Sequence, residues 1–285
     1  MQGTTVRRAG RVLAAATALA ALSACTSPGP AHRPGDDDRA PRGSTLAALR
    51  AAERATERAG SARVESTTTM GSLMSMTADG TLGWRDGITG TLTITYTGGT
   101  IADTMRRLGT PSMEARYLPD AYYARMGDQF AEKTGGRHWI RYGYDDLEAL
   151  AGGSGAHLGD QMRSTTPNRS VGLLLSSGDV RKAGRETVRG RTATHWSGTV
   201  DTADVADAGL RKQLTEAGVT SETVDIWVDE RDLLVKKVEK ARTADGPMTQ
   251  TAHYGDYGVA VRAERPPRSD TGDFEDLVGR RTGRP

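Results

Sequence analysis

The residues equipped for chemistry are few in this chain. It holds one cysteine, Cys25, and five histidines, His32, His138, His157, His195 and His253. The histidines are scattered and isolated from one another, so they read as structural hydrogen-bonders. The methionines Met70, Met74 and Met76 fall within one short stretch. Three soft thioethers placed so closely could hold Cu(I) outside the cytoplasm. The same spacing suits gap-filling apolar side chains around a hairpin rim, and that is the preferred reading. Asp36-Asp37-Asp38 lacks the alternate spacing and the glycine of a calcium loop. Gly153-x-Gly155 lacks the third glycine and the preceding strand of a dinucleotide fingerprint, so it reads as linker. Zinc-protease, P-loop and nucleophile-elbow motifs are absent. These residues predict a protein that is not an enzyme and needs no cofactor.

The lone cysteine has a more specific setting. Arg7, Arg8 and Arg11 precede an apolar run over 12–22 that is too short to span a bilayer as a helix. The run ends in Leu22-Ser23-Ala24-Cys25, which resembles the lipobox of bacterial lipoproteins. The resemblance implies a signal peptide over 1–24, a diacylglycerol thioether on the Cys25 sulfur and an acylated amino group at the new N-terminus. The alternative is an ordinary secretory signal. An exported chain with a single cysteine forms no internal disulfide, and two acyl chains anchor stably where one is marginal. Residues 26–43 are rich in Pro, Gly and Asp without periodicity, so 25–43 is read as lipidated cysteine and tether, reaching about 60 Å when extended. The expected location is the extracytoplasmic face of the cell membrane, held by a lipid anchor.

These groups need a scaffold, and the scaffold reads as antiparallel β. Residues 223–229, 233–242, 247–254 and 259–263 alternate as four strands, with Asp245-Gly246 as a hairpin turn. Strands are also predicted at 63–70, 75–84, 89–97, 113–118, 121–126, 138–142, 179–188 and 192–200. Ser44 should cap a helix over 45–59 with Leu46, Leu49, Ala52 and Ala55 or Thr56 on its buried face. A short helix is expected at 144–150, another from Pro167 to 176, and a third over 202–217 capped by Asp201. Residues 98–110 read as a gap. Residues 268–285 read as a loose tail, apart from a docking contact by Phe274 and Leu277. Hydrophobic residues make up 36% of the chain with only two Phe, which implies a lean core of Val, Leu, Ala and Met. Without Arg7, Arg8 and Arg11 the basic residues number 38 − 3 = 35 against 36 acidic ones, and no basic patch argues for nucleic acid.

In this order the chain is similar to the actinobacterial LppX/LprG-type lipoproteins of the LolA-like superfamily. The residues that carry the likeness are the lipobox, the opening helix, Gly80-Thr81-Leu82, Tyr122-Tyr123-Ala124-Arg125 and His138-Trp139-Ile140. Further on they are the stretch from Gly190 to Asp201, Asp225-Ile226-Trp227-Val228-Asp229, and Tyr254-Gly255-Asp256-Tyr257-Gly258. The likeness covers 44–267 and implies an α+β half-barrel, a curved antiparallel sheet whose concave face is covered by helices. It also implies a non-catalytic protein that binds or shuttles a lipid, glycolipid or other amphiphile, with Leu82, Ile94, Tyr123 and Ile226 facing the ligand. The alternative on the same fold is a sensory or interaction module that contacts an envelope protein and has no open lipid cavity.

Overall fold

Residues 42–149 and 166–281 are described in the computed structural model. The first half runs α1 (Arg42–Ala59), β1 (Ser61–Met70), β2 (Met74–Gly83), β3 (Thr89–Gly98) and α2 (Gly99–Arg107). It continues with β4 (Ser112–Tyr117), β5 (Ala121–Arg125), α3 (Asp128–Lys133), β6 (Trp139–Gly143) and α4 (Tyr144–Ala149). The second half runs α5 (Asn168–Ser176), β7 (Arg181–Val188), β8 (Arg191–Asp201), α6 (Ala208–Glu216) and β9 (Ser221–Asp229). It ends with β10 (Leu234–Thr243), β11 (Gly246–Gly255), β12 (Thr271–Asp273) and α7 (Phe274–Arg281).

The strands form one curved, unclosed sheet in the order β12-β6-β5-β4-β3-β2-β1-β11-β10-β9-β8-β7. Two meanders, β1 to β6 and β7 to β11, meet where β1 pairs antiparallel with β11. Alternating sequence makes each strand two-faced, so directly paired residues share a face. At Gly80 and Gly90 the backbones of β2 and β3 approach too closely for a side chain. Gly80 has φ +157° and Gly90 φ +145°, and added Cβ atoms would lie 2.1 Å from the Thr91 carbonyl oxygen and 2.2 Å from that of Thr81.

Helices α1 and α5 cover the concave face. The buried stripe of α1 is Thr45, Leu49, Ala52 and Thr56, one helical face. Leu46, expected in that stripe, is only partly covered because the helix is rotated toward Thr45. Thr56 also ties the layers together: its carbonyl accepts from the Trp84 indole N–H at 3.2 Å and its hydroxyl accepts from the Leu234 N–H at 3.3 Å. From α5, Val171 and Leu174 enter the same core as Val64, Leu82, Leu92, Val224 and Ile226. Each such burial contributes about 1.5–3 kcal/mol.

Four expectations are corrected. The gap at 98–110 contains α2, whose one buried residue, Ala102, leaves little apolar periodicity to read. The helix over 202–217 is instead a 3-10 turn, Thr202–Asp204, followed by α6. Its cap is Asp207, which accepts from the Leu210 N–H at 2.7 Å, while Asp201 makes no capping bond. The strand at 259–263 is absent. That segment is a strap across the convex face, where the Arg262 carbonyl accepts from Thr91 Oγ1 and the Glu264 carbonyl accepts from Arg116. The tail at 268–285 is ordered through residue 281: β12 pairs parallel with β6, and Phe274 of α7 packs on Tyr142 at 4.7 Å between ring centroids. The docking contact of Phe274 thus extends into a strand and a helix, because β6 would otherwise be an open edge. The signal segment, Cys25, the tether through residue 41, the 151–155 glycine run, His32 and His157 lie outside the described residues, while Arg42 and Gly43 at the tether's end belong to α1.

Candidate functional site

The concave face is a grid of side chains. One cross-strand row runs Met113, Ile94, Ala78, Ser66, Ala252, Lys237, Ile226 and Trp196, from β4 to β8. Ile94 and Ile226 therefore share a row, with a lysine beside Ile226. Leu82 lies on the same face nearer the β2–β3 turn. All three are buried, Leu82 at 2%, Ile94 at 8% and Ile226 at 0% exposure. Tyr123 departs from them. It pairs with Arg116 and Arg141 on the convex face, where its hydroxyl accepts from Arg265 at 2.6 Å under the strap. Its neighbour Tyr122 is the one that faces inward, as strand alternation requires. Met70 pairs directly with Met74 and with Met248, and Met76 occupies the adjoining row beside Thr68. The three clustered methionines are thus half-buried along the concave rim with a fourth that the local spacing did not reveal.

Beneath α5 the grid turns polar. Lys237 and Glu239 of β10 and Glu222 of β9 point inward and are buried. Glu239 accepts from Lys237 Nζ at 2.9 Å and from Ser170 Oγ of α5 at 2.5 Å. Burial alone would raise the Glu239 pKa, but Lys237, Arg169 and the Ser170 hydrogen bond outweigh it and hold the carboxyl below its ordinary range. Glu222 goes the other way. Burial, reinforced by the Glu239 charge, pushes it up to about 7 against the partial relief of Arg169 and Lys237. A cavity of about 650 Å³ opens beside this cluster, between α5 and residues 205–213. Leu173, Leu175, Val205 and Leu210 form apolar walls, and Arg169, Asp207 and Gln213 add polar groups.

The convex face carries a second cluster. The His195 imidazole of β8 stacks on Trp227 at 4.2 Å and 10°, and Lys236 Nζ lies 3.9 Å from the Trp227 ring centroid. The imidazole Nε2 lies 2.8 Å from Asp225 and its Nδ1 3.2 Å from Glu186. Both ring nitrogens face carboxylates, so neither is left for a nucleophile in this geometry. His138 is similarly held by Asp270 at 2.7 Å, which fastens the C-terminal segment to the start of β6. Among the described residues no group of three or more His, Cys, Asp or Glu is placed to hold a metal ion.

No protein-family model matches the chain. A Streptomyces coelicolor protein named "Putative lipoprotein SCO4650" is 58% identical over 296 residues, covering 98% of each chain. This chain belongs to the same lipoprotein family as that Streptomyces protein. Its fold agrees with two solved structures. The Mycobacterium tuberculosis lipoprotein LppX matches with a TM-score of 0.50 at 16% identity, over 78% of this chain and all of that one. LprF from Mycobacterium bovis matches with a TM-score of 0.50 at 15% identity, over 80% and 99%. At such identity the likeness shows the fold alone.

Within this lipoprotein the polar cluster was the part that sequence reasoning missed. Lys237 and Glu239 occupy alternate positions of a strand that also carries Lys236 and Lys240 outward, so β10 looked like a solvated strand. The available signal was register. Pairing β9 with β10 places Glu239 opposite Val224 and Lys237 opposite Ile226, which commits both charges to the apolar face. Among the described residues no helix is long and apolar enough to cross a membrane.

Proposed function

We propose that this lipoprotein is held on the extracytoplasmic face of the cell membrane by acyl chains on Cys25 and binds an amphiphile without catalysis in the cavity beside α5. The observation that carries the reading is the cavity itself. Its roughly 650 Å³ falls within the span of small-molecule sites, and its walls are apolar with few polar groups. Ten buried methylenes would gain about 8 kcal/mol, more than the roughly 4 kcal/mol minimum cost of association. The lipobox and the fold support the same reading, as does the lipoprotein name of the S. coelicolor relative.

A protein-interaction or sensory module on this fold is the second reading, and it is favoured by the burial of Leu82, Ile94 and Ile226 under the chain's own helices. Native mass spectrometry of soluble residues 26–285, after exposure to lipid extracted from membranes of the protein's own host, separates the two. The expected result is a lipid-sized adduct that is lost when Leu175→Trp fills the cavity. A bare polypeptide mass, with no uptake of added phospholipid or glycolipid, would overturn the amphiphile reading and leave the interaction module.

A further inference from the structure

Beyond the strap, where the chain enters its C-terminal segment, a cavity of about 450 Å³ opens beside β5, β6 and β12 on the convex face. Its size falls within the span of small-molecule sites. Three arginines line it: Arg141 of β6, Arg265 at the end of the strap, and Arg268 of the 3-10 turn Arg268–Asp270. That turn is fixed by Asp270, whose Oδ1 accepts from the His138 N–H at 2.8 Å and lies 2.7 Å from His138 Nδ1. Asp273 is the only carboxylate among the lining residues, so the lining sets three cations against one anion.

The guanidinium donors are only partly spent. Arg141 uses Nη1 alone, donating to Asp146 at 2.7 Å and to Asp273 at 3.0 Å. Arg265 gives Nη1 to the Tyr123 hydroxyl at 2.6 Å and Nη2 to Asp120 at 2.9 Å, which leaves its Nε. The Arg268 side chain is exposed and makes no hydrogen bond or ion pair among the described residues. Asp120 and Asp146 hold their arginines from outside the lining, so the cavity itself is rich in donors and poor in acceptors. Solvent reaches it, since the Arg265 side chain is 48% exposed. Three guanidiniums around one space match the three free oxygens of a phosphate monoester, where a carboxylate or a diester offers two. We propose that this cavity binds a phosphate monoester, its oxygens held by Arg268 and by the unspent N–H groups of Arg141 and Arg265. Tyr123 and Pro266 supply the main apolar walls, so the cavity takes the phosphate and a small polar remainder, not an acyl chain. A soluble phosphorylated compound and the head group of phosphatidic acid both present this chemistry. The site is separate from the cavity beside α5, and its test stands whether or not that cavity holds an amphiphile.

Binding of glycerol 3-phosphate and of dimethyl phosphate to residues 26–285 is measured by isothermal titration calorimetry at physiological ionic strength. Sedimentation with phosphatidylcholine vesicles, with and without phosphatidic acid, forms the second arm. Wild type should bind the monoester in at least one arm and dimethyl phosphate more weakly than glycerol 3-phosphate. Binding of glycerol 3-phosphate alone identifies a free ester as the source, and binding only to the phosphatidic acid vesicles identifies a lipid head group. Arg268→Ala should weaken whichever binding is seen by about tenfold or more, the effect of losing one charge-assisted hydrogen bond. Arg268→Lys keeps the charge without the fork and should fall between the two. The Arg268 side chain touches no partner, so both variants should keep the wild-type β spectrum. Lys240→Ala, which removes an exposed cation on β10, should bind as wild type does. No binding in either arm, dimethyl phosphate held as tightly as the monoester, or equal losses in Arg268→Ala and Lys240→Ala would overturn the site.

Discussion

Replacing Glu222 by Gln should make the protein more stable at pH 8 and leave it nearly unchanged at pH 5. In the folded protein the Glu222 proton is held until about pH 7, whereas an unfolded carboxyl releases it near 4.5. Between those values the folded state binds more protons, so this group's contribution to stability falls as pH rises. A difference of about 2.5 in pKa corresponds to roughly 3 kcal/mol, lost in full above pH 7. The groups that set this value face Glu222 from two sides: Glu239 and Lys237 on β10, and Arg169 on α5. The glutamine side chain presents the same shape without the ionisation, so the variant's stability should stay level through that window. Other groups slope differently. His253 is depressed by burial and by the nearby Arg189 and Lys236 charges, and it gains stability as pH rises through its range. Glu239, depressed in the folded state, loses stability only as the solution becomes acidic. The comparison is therefore between variant and wild type at each pH, which cancels the His253 contribution, while that of Glu239 enters only under acidic conditions. Urea unfolding of both proteins at pH 5, 6, 7 and 8 measures it. At pH 8 a gap of about 3 kcal/mol equals roughly 6–12 °C in Tm for a domain of this size. Parallel curves, or a Gln variant no more stable at pH 8, would refute the argument that Glu222 is buried without a partner.

Three further outcomes are expected. Cys25→Ala should release the protein from the membrane fraction or leave an unprocessed precursor, and a mutant that fractionates and migrates as wild type contradicts the anchor. Gly90→Ala should lower the Tm by several degrees at least, because φ is +145° there and a Cβ would lie 2.2 Å from the Thr81 carbonyl oxygen. Truncation after Pro267 should leave the β spectrum recognisable and lower the Tm, since it removes β12 from β6 and Phe274 from Tyr142; an unchanged melting curve would mean that this edge contributes nothing.

Much of the architecture was legible in the sequence because a half-buried strand advertises itself by period two. In β9, Val224, Ile226 and Val228 alternate with Asp225 and Trp227, and the structure buries the first three in the main core. The strap at 259–263 shows the limit of that signal. Val259 and Val261 alternate with neighbours as a strand would, yet the Val259 carbonyl accepts from Ser61 Oγ and the chain crosses β3 and β4 instead of pairing with β11. Local alternation reports that a segment has two faces and says nothing of what lies beside it. Tyr123 failed for a related reason. In the run Ala121-Tyr122-Tyr123-Ala124 both faces carry a tyrosine, so pattern alone could not choose the inward one.

The candidate site was illegible for a deeper physical reason. A lysine and a glutamate two apart on a strand are the ordinary signature of a wet face, and only the register of β10 against β9 and β11 turns them inward. Having been turned inward, they need compensation, and Ser170 of α5 supplies part of it. A sheet covered only for stability would gain more from apolar residues there, since a buried ion pair contributes little against its desolvation. The apolar rows of this lipoprotein are filled by its own helices, whereas the polar patch beside α5 retains an unsatisfied carboxylate oxygen, an unsatisfied guanidinium nitrogen and an adjoining cavity. Stability accounts for the first arrangement. The second is not explained by stability, and the cavity beside it lies at the helix-covered edge of the half-barrel instead of along the apolar strip that the sequence suggested.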